Sequence, residues 1–168
     1  MNSRIKKILY STDLSENSAY AFYYAVDMAR RFNAKITIFH AVEPFPSYIK
    51  AFAATDVEKI ENKERRETIE HIQNLLQEFC RGVEAQMGPP CLLLVSKILV
   101  RIGHPIEEIL RVADEEGCDT IILGSHGKGL LKQTFLGSIS NGVLHRSRKP
   151  VFVVPIPSDK DRIDWKET

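Results

Sequence analysis

Three cysteines, Cys80, Cys91 and Cys118, are all that the 168 residues contain, and no two of them form a CxxC pair. Their odd number and wide spacing exclude a disulfide framework and a zinc knuckle, and point to buried thiols in a reducing compartment. Long apolar runs are missing too: none approaches the roughly 18 residues that a membrane span requires. The stretch MNSRIKKILYSTDLS carries basic residues but no apolar h-region and no small-residue cleavage site. No signal peptide is read there, and a cytoplasmic location is expected. Neither sign of charge is in excess, with 23 Lys+Arg against 22 Asp+Glu. A chain so balanced has no global field to draw it onto nucleic acid or an anionic membrane.

What is present is the composition of a globular domain, 43% hydrophobic and 27% charged. A single domain over 1–156 is expected, followed by a polar tail over 157–168 that Trp165 could anchor. The segment IKKILYSTD reads as a strand covered on both faces, because Ile5, Ile8, Leu9 and Tyr10 run nearly without polar interruption. A helix follows, with Ser15 as N-cap and Ala19, Tyr23, Ala25, Val26 and Ala29 on one face. Lys35 to Val42 reads as a second strand. Residues 55–80 form the clearest helix, with a capping box at Thr55 and Glu58. Its buried stripe is Val57, Ile60, Ile69, Ile72, Leu75, Leu76 and Phe79, and its charge run is a solvated face. RGVEAQMGPP reads as a linker, and CLLLVSKILVRIG as a third strand with a bend near Ser96–Lys97. A helix opens at Pro105 and stops before Gly117. CDTIILGS is a fourth strand, a helix runs from about Ser138 to Arg146, and KPVFVVPI is a fifth strand.

Alternating strands and amphipathic crossovers predict an open, mostly parallel α/β sheet. In such sheets ligands bind beyond the carboxyl ends of the strands, where strand order reverses. That edge holds STDLS, AVEP and the stretch GSHGKGLLKQTFLGSIS, which alone carries Gly124, Gly127, Gly129 and Gly137. No standard phosphate motif explains this concentration. The GxxxxGK[ST] pattern fails because Lys128 is followed by Gly129, and GxGxxG fails because Lys132 takes the third glycine's place. The GxSxG elbow is absent as well. The physics of the loop still favours an anion. Gly124 and Gly127 leave a strand end without Cβ atoms, so backbone N–H groups can form a nest. Gly137-Ser138 opens a helix whose unpaired N–H groups attract phosphate, and Ser138, Ser140, Lys128 and Lys132 add donors and charge. A loop that uses its glycines only for tight turning is the competing explanation.

From about Lys6 to Pro155 the chain resembles the universal stress protein family, whose nucleotide-binding branch carries G-x2-G-x9-G-[ST]. Gly124, Gly127, Gly137 and Ser138 fall on its four positions, and ILYSTDLSENSAYAFYYA, HAVEP, RIGHPIEEIL and CDTIILGSHG are similar to its other blocks. The resemblance implies a five-stranded parallel sheet of order 3-2-1-4-5 with helices on both faces, of the adenine nucleotide alpha hydrolase-like type. It implies ATP, with Mg2+ or Mn2+, as cofactor. Ser11, Thr12 and Asp13 would lie at the adenine and ribose, and Val42 would border the adenine through its backbone. Gly124, Ser125 and Gly127 would approach the ribose and phosphates, while Gly137, Ser138, Ile139 and Ser140 would hold the triphosphate. A homodimer through Val151, Phe152, Val153 and Val154 is implied too. Ser11 departs from the small apolar residue or proline common in the family.

The remaining histidines read plainly. His126 is a solvated loop donor rather than a general base, His40 is partly buried packing, and His104 starts a helix. His145, Arg146, Arg148 and Lys149 form a solvated helix end, and Phe22, Tyr23 and Tyr24 are mostly core. Three functions compete. The first is an ATP-binding, dimeric, regulatory stress-response module with little or no hydrolysis. The second is a slow ATP hydrolase or phosphotransferase in the same pocket, and the third a dimerisation module that binds no nucleotide. Asp13 is the only clear carboxylate near the pocket, which disfavours fast phosphoryl transfer.

Overall fold

A computed structural model describes residues 5–44, 57–88, 91–126 and 136–155. The chain runs β1 (Lys7–Ser11), α1 (Glu16–Phe32), β2 (Lys35–Val42), α2 (Val57–Met87), α3 (Cys91–Leu94), β3 (Val95–Ile102), α4 (Pro105–Glu115), β4 (Thr120–Gly124), α5 (Ser138–Arg146) and β5 (Val151–Val154). The five strands form one sheet of order β3-β2-β1-β4-β5, parallel throughout. The parallel pairing is that expected from the sequence pattern, and the strand order is the one the family resemblance implies.

The sheet is covered on both faces because its central strands are apolar through their middle positions, and the pleat sends alternate side chains to opposite sides. Ile8, Tyr10, Ile36, Ile38 and Ile122 pack with Phe22, Val26, Leu76 and Cys80 in a core under α1 and α2. Leu9, Phe39, Ile121 and Leu123 pack with Ile109, Val112 and Val143 in a second core under α4 and α5. Each such fully buried side chain contributes about 1.5–3 kcal/mol of transfer free energy.

Local chemistry sets the helix ends. The Ser15 hydroxyl accepts from the Ser18 N–H at 3.2 Å and caps α1. Asn33 closes the same helix at φ 49°, a left-handed conformation that asparagine tolerates. Pro105 takes the first turn of α4, and His104 is its N-cap without a side-chain bond.

Several expectations need correction. The helix read over 55–80 continues through RGVEAQM to Met87, and Gly88 at φ 74° ends it. Leu75, assigned to its buried stripe, is 48% exposed. The third strand begins at Val95, after a helical turn over Cys91–Leu94. The bend near Ser96 is a bulge: Ile36 pairs with Val95, Thr37 pairs with Lys97, and the Ser96 hydroxyl donates to the Ile36 carbonyl at 3.2 Å. Tyr24, grouped with the core aromatics, is half-exposed and stacks on Phe152. Thr55 of the expected capping box, the loop segment 127–135 and the tail with Trp165 lie outside the described residues.

Candidate functional site

Strands β1, β2 and β4 end at one edge, and β1 is where strand order reverses, since β2 lies on one side and β4 on the other. A cavity of about 390 Å³ opens there. This is within the ~300–1,000 Å³ typical of small-molecule sites. Ser11, Thr12 and Asp13 line it from the end of β1, and His40, Ala41 and Glu43 from β2. Leu123, Gly124 and His126 line it from β4, Pro105 and Ile109 from α4, and Gly137 to Ser140 from the start of α5.

The turn from β1 into α1 is held by side chains bonding to nearby backbone. Thr12 donates its N–H to the Phe39 carbonyl at 2.9 Å and its hydroxyl to Ser18 Oγ at 2.7 Å. The Leu14 N–H donates to Thr12 Oγ1 at 3.1 Å, which accommodates Leu14 at φ 62°. Such a conformation is costly for a leucine and persists only where its surroundings over-determine it. Asp13 Oδ1 accepts from both the N–H and the hydroxyl of Ser15, at 3.0 and 2.6 Å. These bonds fix the carboxylate at the cavity wall. The carbonyl of Thr12 meets His40 Nδ1 at 2.7 Å, and a carbonyl can only accept, so His40 holds its proton on Nδ1. Beneath the turn, Tyr10 donates its hydroxyl to the Ser18 carbonyl at 2.6 Å. Its burial pushes the phenol well above the ordinary tyrosine range.

The opposite wall is built around α5. The first helical bond is Asn141 N–H to the Gly137 carbonyl at 2.9 Å. The N–H groups of Ser138, Ile139 and Ser140 therefore have no partner within the helix, and the N-cap Gly137 has no side chain to supply one. Two bonds dock this turn on β4: Gly137 N–H to the Ser125 carbonyl and Ser140 hydroxyl to the Gly124 carbonyl, each 2.7 Å. Three uncapped N–H groups and the positive end of the helix dipole thus adjoin a polar cavity.

Of the residues expected at a site, Ser11, Thr12, Asp13, Gly124, Gly137, Ser138, Ile139 and Ser140 line this cavity. Ser125 supports the wall from behind, buried, with its N–H on the Val154 carbonyl at 2.8 Å. Val42 turns its side chain to the α1/α2 core, and its carbonyl accepts from the Gly103 N–H at 2.9 Å. Gly127 lies outside the described residues. Sequence reasoning missed Ser18, His40, Glu43, Pro105, Ile109 and His126 as lining residues. Position at the carboxyl end of a parallel strand was the signal available for His40 and Glu43. His126 is not the solvated donor expected of it: its Nδ1 lies 2.7 Å from Ser125 Oγ and its Nε2 is buried. The basic helix end is also more than solvated, since Arg146 makes a two-pronged ion pair with Glu107 on α4, at 2.5 and 3.0 Å. Among the described residues, no group of three or more His, Cys, Asp or Glu could hold a metal ion. No helix among them is long and apolar enough to cross a membrane.

The chain is 32% identical to the universal stress protein MJ0577 of Methanocaldococcus jannaschii over 163 residues, covering 92% of this chain and 97% of that one. The solved structure of MJ0577 superposes with a TM-score of 0.72, over 92% of this chain and 99% of that one, at 31% identity. Two further structures share the fold. A universal stress protein in complex with cAMP is 22% identical, with a TM-score of 0.59 over 90% of this chain and 97% of that one. The universal stress protein from Archaeoglobus fulgidus in complex with dAMP is 20% identical, with a TM-score of 0.51 over 90% and 98%. The model of the universal stress protein family matches residues 4–155, nearly the whole chain. Family model, relatives and fold agree, and the chain belongs to the universal stress protein family.

Proposed function

We propose that the cavity binds an adenine nucleotide, ATP in the first instance, and that the chain is a dimeric regulatory module with little or no hydrolysis. The observation that carries this reading is the uncapped first turn of α5, whose N–H groups adjoin a cavity at the strand-order reversal. Such a turn is built for an anion, and the cavity extends from it along β1 and β2 far enough for a base and sugar. Family members solved with cAMP and dAMP support the same ligand class. In this reading Asp13 and Thr12 meet the ribose, Val42 borders the adenine, and Gly124, Gly127 and Ser138 to Ser140 take the phosphates. A divalent ion, Mg2+ or Mn2+, would draw most of its ligands from phosphate and water, with Asp13 or Glu43 as the nearest carboxylates. Phosphoryl transfer at ordinary enzyme rates wants a firmly held metal and a group that positions the nucleophile. The carboxyl end of β4 supplies Gly124 and Ser125 rather than an acid, which supports slow turnover at most.

The test is Ser138→Asp. A carboxylate at the first position of α5 favours the helix dipole, so the variant keeps its fold while repelling a phosphate. Calorimetric titration with ATP should show micromolar binding by the wild type and a loss of about tenfold or more in the variant, ~1.4 kcal/mol or above. Equal affinities would refute the site, and steady turnover above roughly 1 s⁻¹ would favour the enzyme reading.

A further inference from the structure

The end of the sheet opposite the cavity carries a surface of different chemistry. Phe32 closes α1 there, and Leu92 and Leu93 stand on the helical turn before β3, exposed by 45%, 40% and 70%. Hydrogen bonds gather them into one place. Lys6 Nζ donates to the Phe32 carbonyl at 3.5 Å, the Lys35 N–H to the Lys6 carbonyl at 2.8 Å, and Lys35 Nζ to the Leu93 carbonyl at 2.5 Å. Large apolar side chains scattered singly over a surface are ordinary, whereas three gathered at one end mark a contact.

The same end is rich in cations. Lys6, Lys7, Arg30, Arg31, Lys35 and Lys97 are all exposed there. Among the described residues, three carboxylates bond to this group: Asp27 to Arg31, Glu116 to Lys97, and Asp119 to the N–H groups of Lys6 and Lys7. Six charges against three leave an excess of three within the group, in a chain whose net charge is only +1. The even balance of the composition hides a positive pole. Some of these side chains complement helix ends, since Lys7 donates to the Glu116 carbonyl and Arg30 to those of Met87 and Gly88. That accounts for the cations but not for the leucines and phenylalanine among them. A lysine spends one of its three protons on such a bond and keeps its charge.

We infer that this end of the molecule is a docking surface for an anionic lipid bilayer. Leu93 stands on a four-residue turn and Phe32 at the last residue of a helix, so both project rather than line a groove. Protruding apolar side chains suit a fluid layer of headgroups and acyl chains, which closes around them, better than a rigid partner that needs matching pockets. The surrounding ammonium and guanidinium groups then lie at headgroup depth, against lipid phosphates and carboxylates. Contact is peripheral and reversible, because so few apolar side chains fall well short of a lipid anchor. The cavity lies beyond the carboxyl ends of the strands, at least the length of β1 away, or about 17 Å. It stays open to water while the molecule is docked, and docking is independent of what the cavity binds.

Sedimentation of the full chain with vesicles tests this, using phosphatidylcholine alone and phosphatidylcholine with about 30% phosphatidylserine. Wild type should bind the mixed vesicles at least about tenfold more tightly than the neutral ones, and should come off as salt rises from about 0.05 to 0.5 M. The double substitution Phe32→Gln and Leu93→Gln should lower the partition coefficient on mixed vesicles about tenfold, with unchanged circular dichroism. Leu75→Gln, at a leucine 48% exposed and about 18 Å before the end of α2, should bind as wild type does. A wild type that pellets with neither kind of vesicle overturns the inference. Equal binding to both kinds overturns it too, since the cations then have no role. If the double variant binds mixed vesicles as well as wild type, the apolar residues are not the contact and the inference fails. A wild type indifferent to lipid, with a double variant of altered oligomeric state under light scattering, overturns it in favour of a second copy of the chain.

Discussion

At the scale of single residues, burial decides chemistry more than residue type does. Cys118 precedes β4 and is 1% exposed, and its burial pushes the thiol up to about 11. The thiolate is the reactive form, so at about pH 8 iodoacetamide should leave Cys118 unmodified in the folded protein and alkylate it in denaturant. Mass spectrometry of the alkylated peptides reads this directly. The same shift has a sign for stability. The folded chain keeps a proton that an unfolded cysteine releases near 9, so this term is fully present below pH 9. It is lost as pH rises from 9 to about 11, and Tyr10, shifted the same way by burial, adds its own loss above 10. Urea denaturation should therefore show stability falling across that window, with a shallower fall in Cys118→Ala. Buried thiols were legible from composition, and Cys80 and Cys118 are both buried. The donor role of His40 was not, because its hydrogen bond from Nδ1 to the Thr12 carbonyl spans 28 positions and leaves no local pattern.

At the scale of elements, α4 and α5 meet at a close approach. A Cβ at Gly142 would run into Cδ1 of Ile106, the flexible end of that side chain, so the glycine lets two helices pack closely. Glycine within a helix costs about 1 kcal/mol relative to alanine. Gly142→Ala alone should be nearly neutral, the propensity gain offset by displacement of Ile106. In the background of Ile106→Val, which removes Cδ1, the same change should stabilise by roughly 0.5–1 kcal/mol. Chemical denaturation of the four proteins in this cycle checks the coupling, and additive effects would contradict the contact. The ion pair between Arg146 and Glu107 lies across the same helix pair. It holds the Glu107 carboxyl below and the Arg146 guanidinium above their ordinary ranges. Both groups are solvated, so their contribution fades in salt and is lost as pH falls through the carboxylate's lowered value.

Element boundaries were harder to read than element types, and α2 shows why. Gly82 and Gly88 compete for its end. Both have open space around them, yet the helix passes through Gly82, whereas Gly88 takes the left-handed turn that stops it. Distant bonds choose between them, since Arg30 donates to the carbonyls of Met87 and Gly88 at 3.2 and 2.7 Å. Similarly, the apolar Leu92 and Leu93 read as strand because they adjoin one. They form a helical turn held by Lys35 Nζ on the Leu93 carbonyl at 2.5 Å. Strand order was legible only through the family resemblance. The apolar runs and glycine spacing placed the candidate site, since both report where parallel strands end.

At the scale of the whole molecule, β5 is an edge. The Ile121 and Ser125 N–H groups donate to the Pro150 and Val154 carbonyls, so the backbone of Phe152 and Val154 serves β4. Val151 and Val153 point their N–H and C=O groups away from the sheet. Phe152 is 40% exposed and rests against Tyr24, giving the edge an apolar flank. We take this edge as the homodimer contact proposed above. Val153→Pro removes an outward donor and none that β4 uses, so the variant should fold with unchanged circular dichroism yet elute as a monomer under light scattering. A wild type that is itself monomeric at tens of micromolar would sink the dimer.

The reversal of strand order at β1 also has a consequence in time. A ribosome delivers β1, α1, β2, α2 and β3 first, and these can pair among themselves as three strands of the sheet with most of the core under α1 and α2. The β1 side of the cavity exists at that stage, with Asp13 and His40 in place, but its anion-holding side does not. That side arrives with β4 and α5, so the cavity is whole only once synthesis has passed Arg146. A nucleotide would therefore bind finished chains and pass over nascent ones.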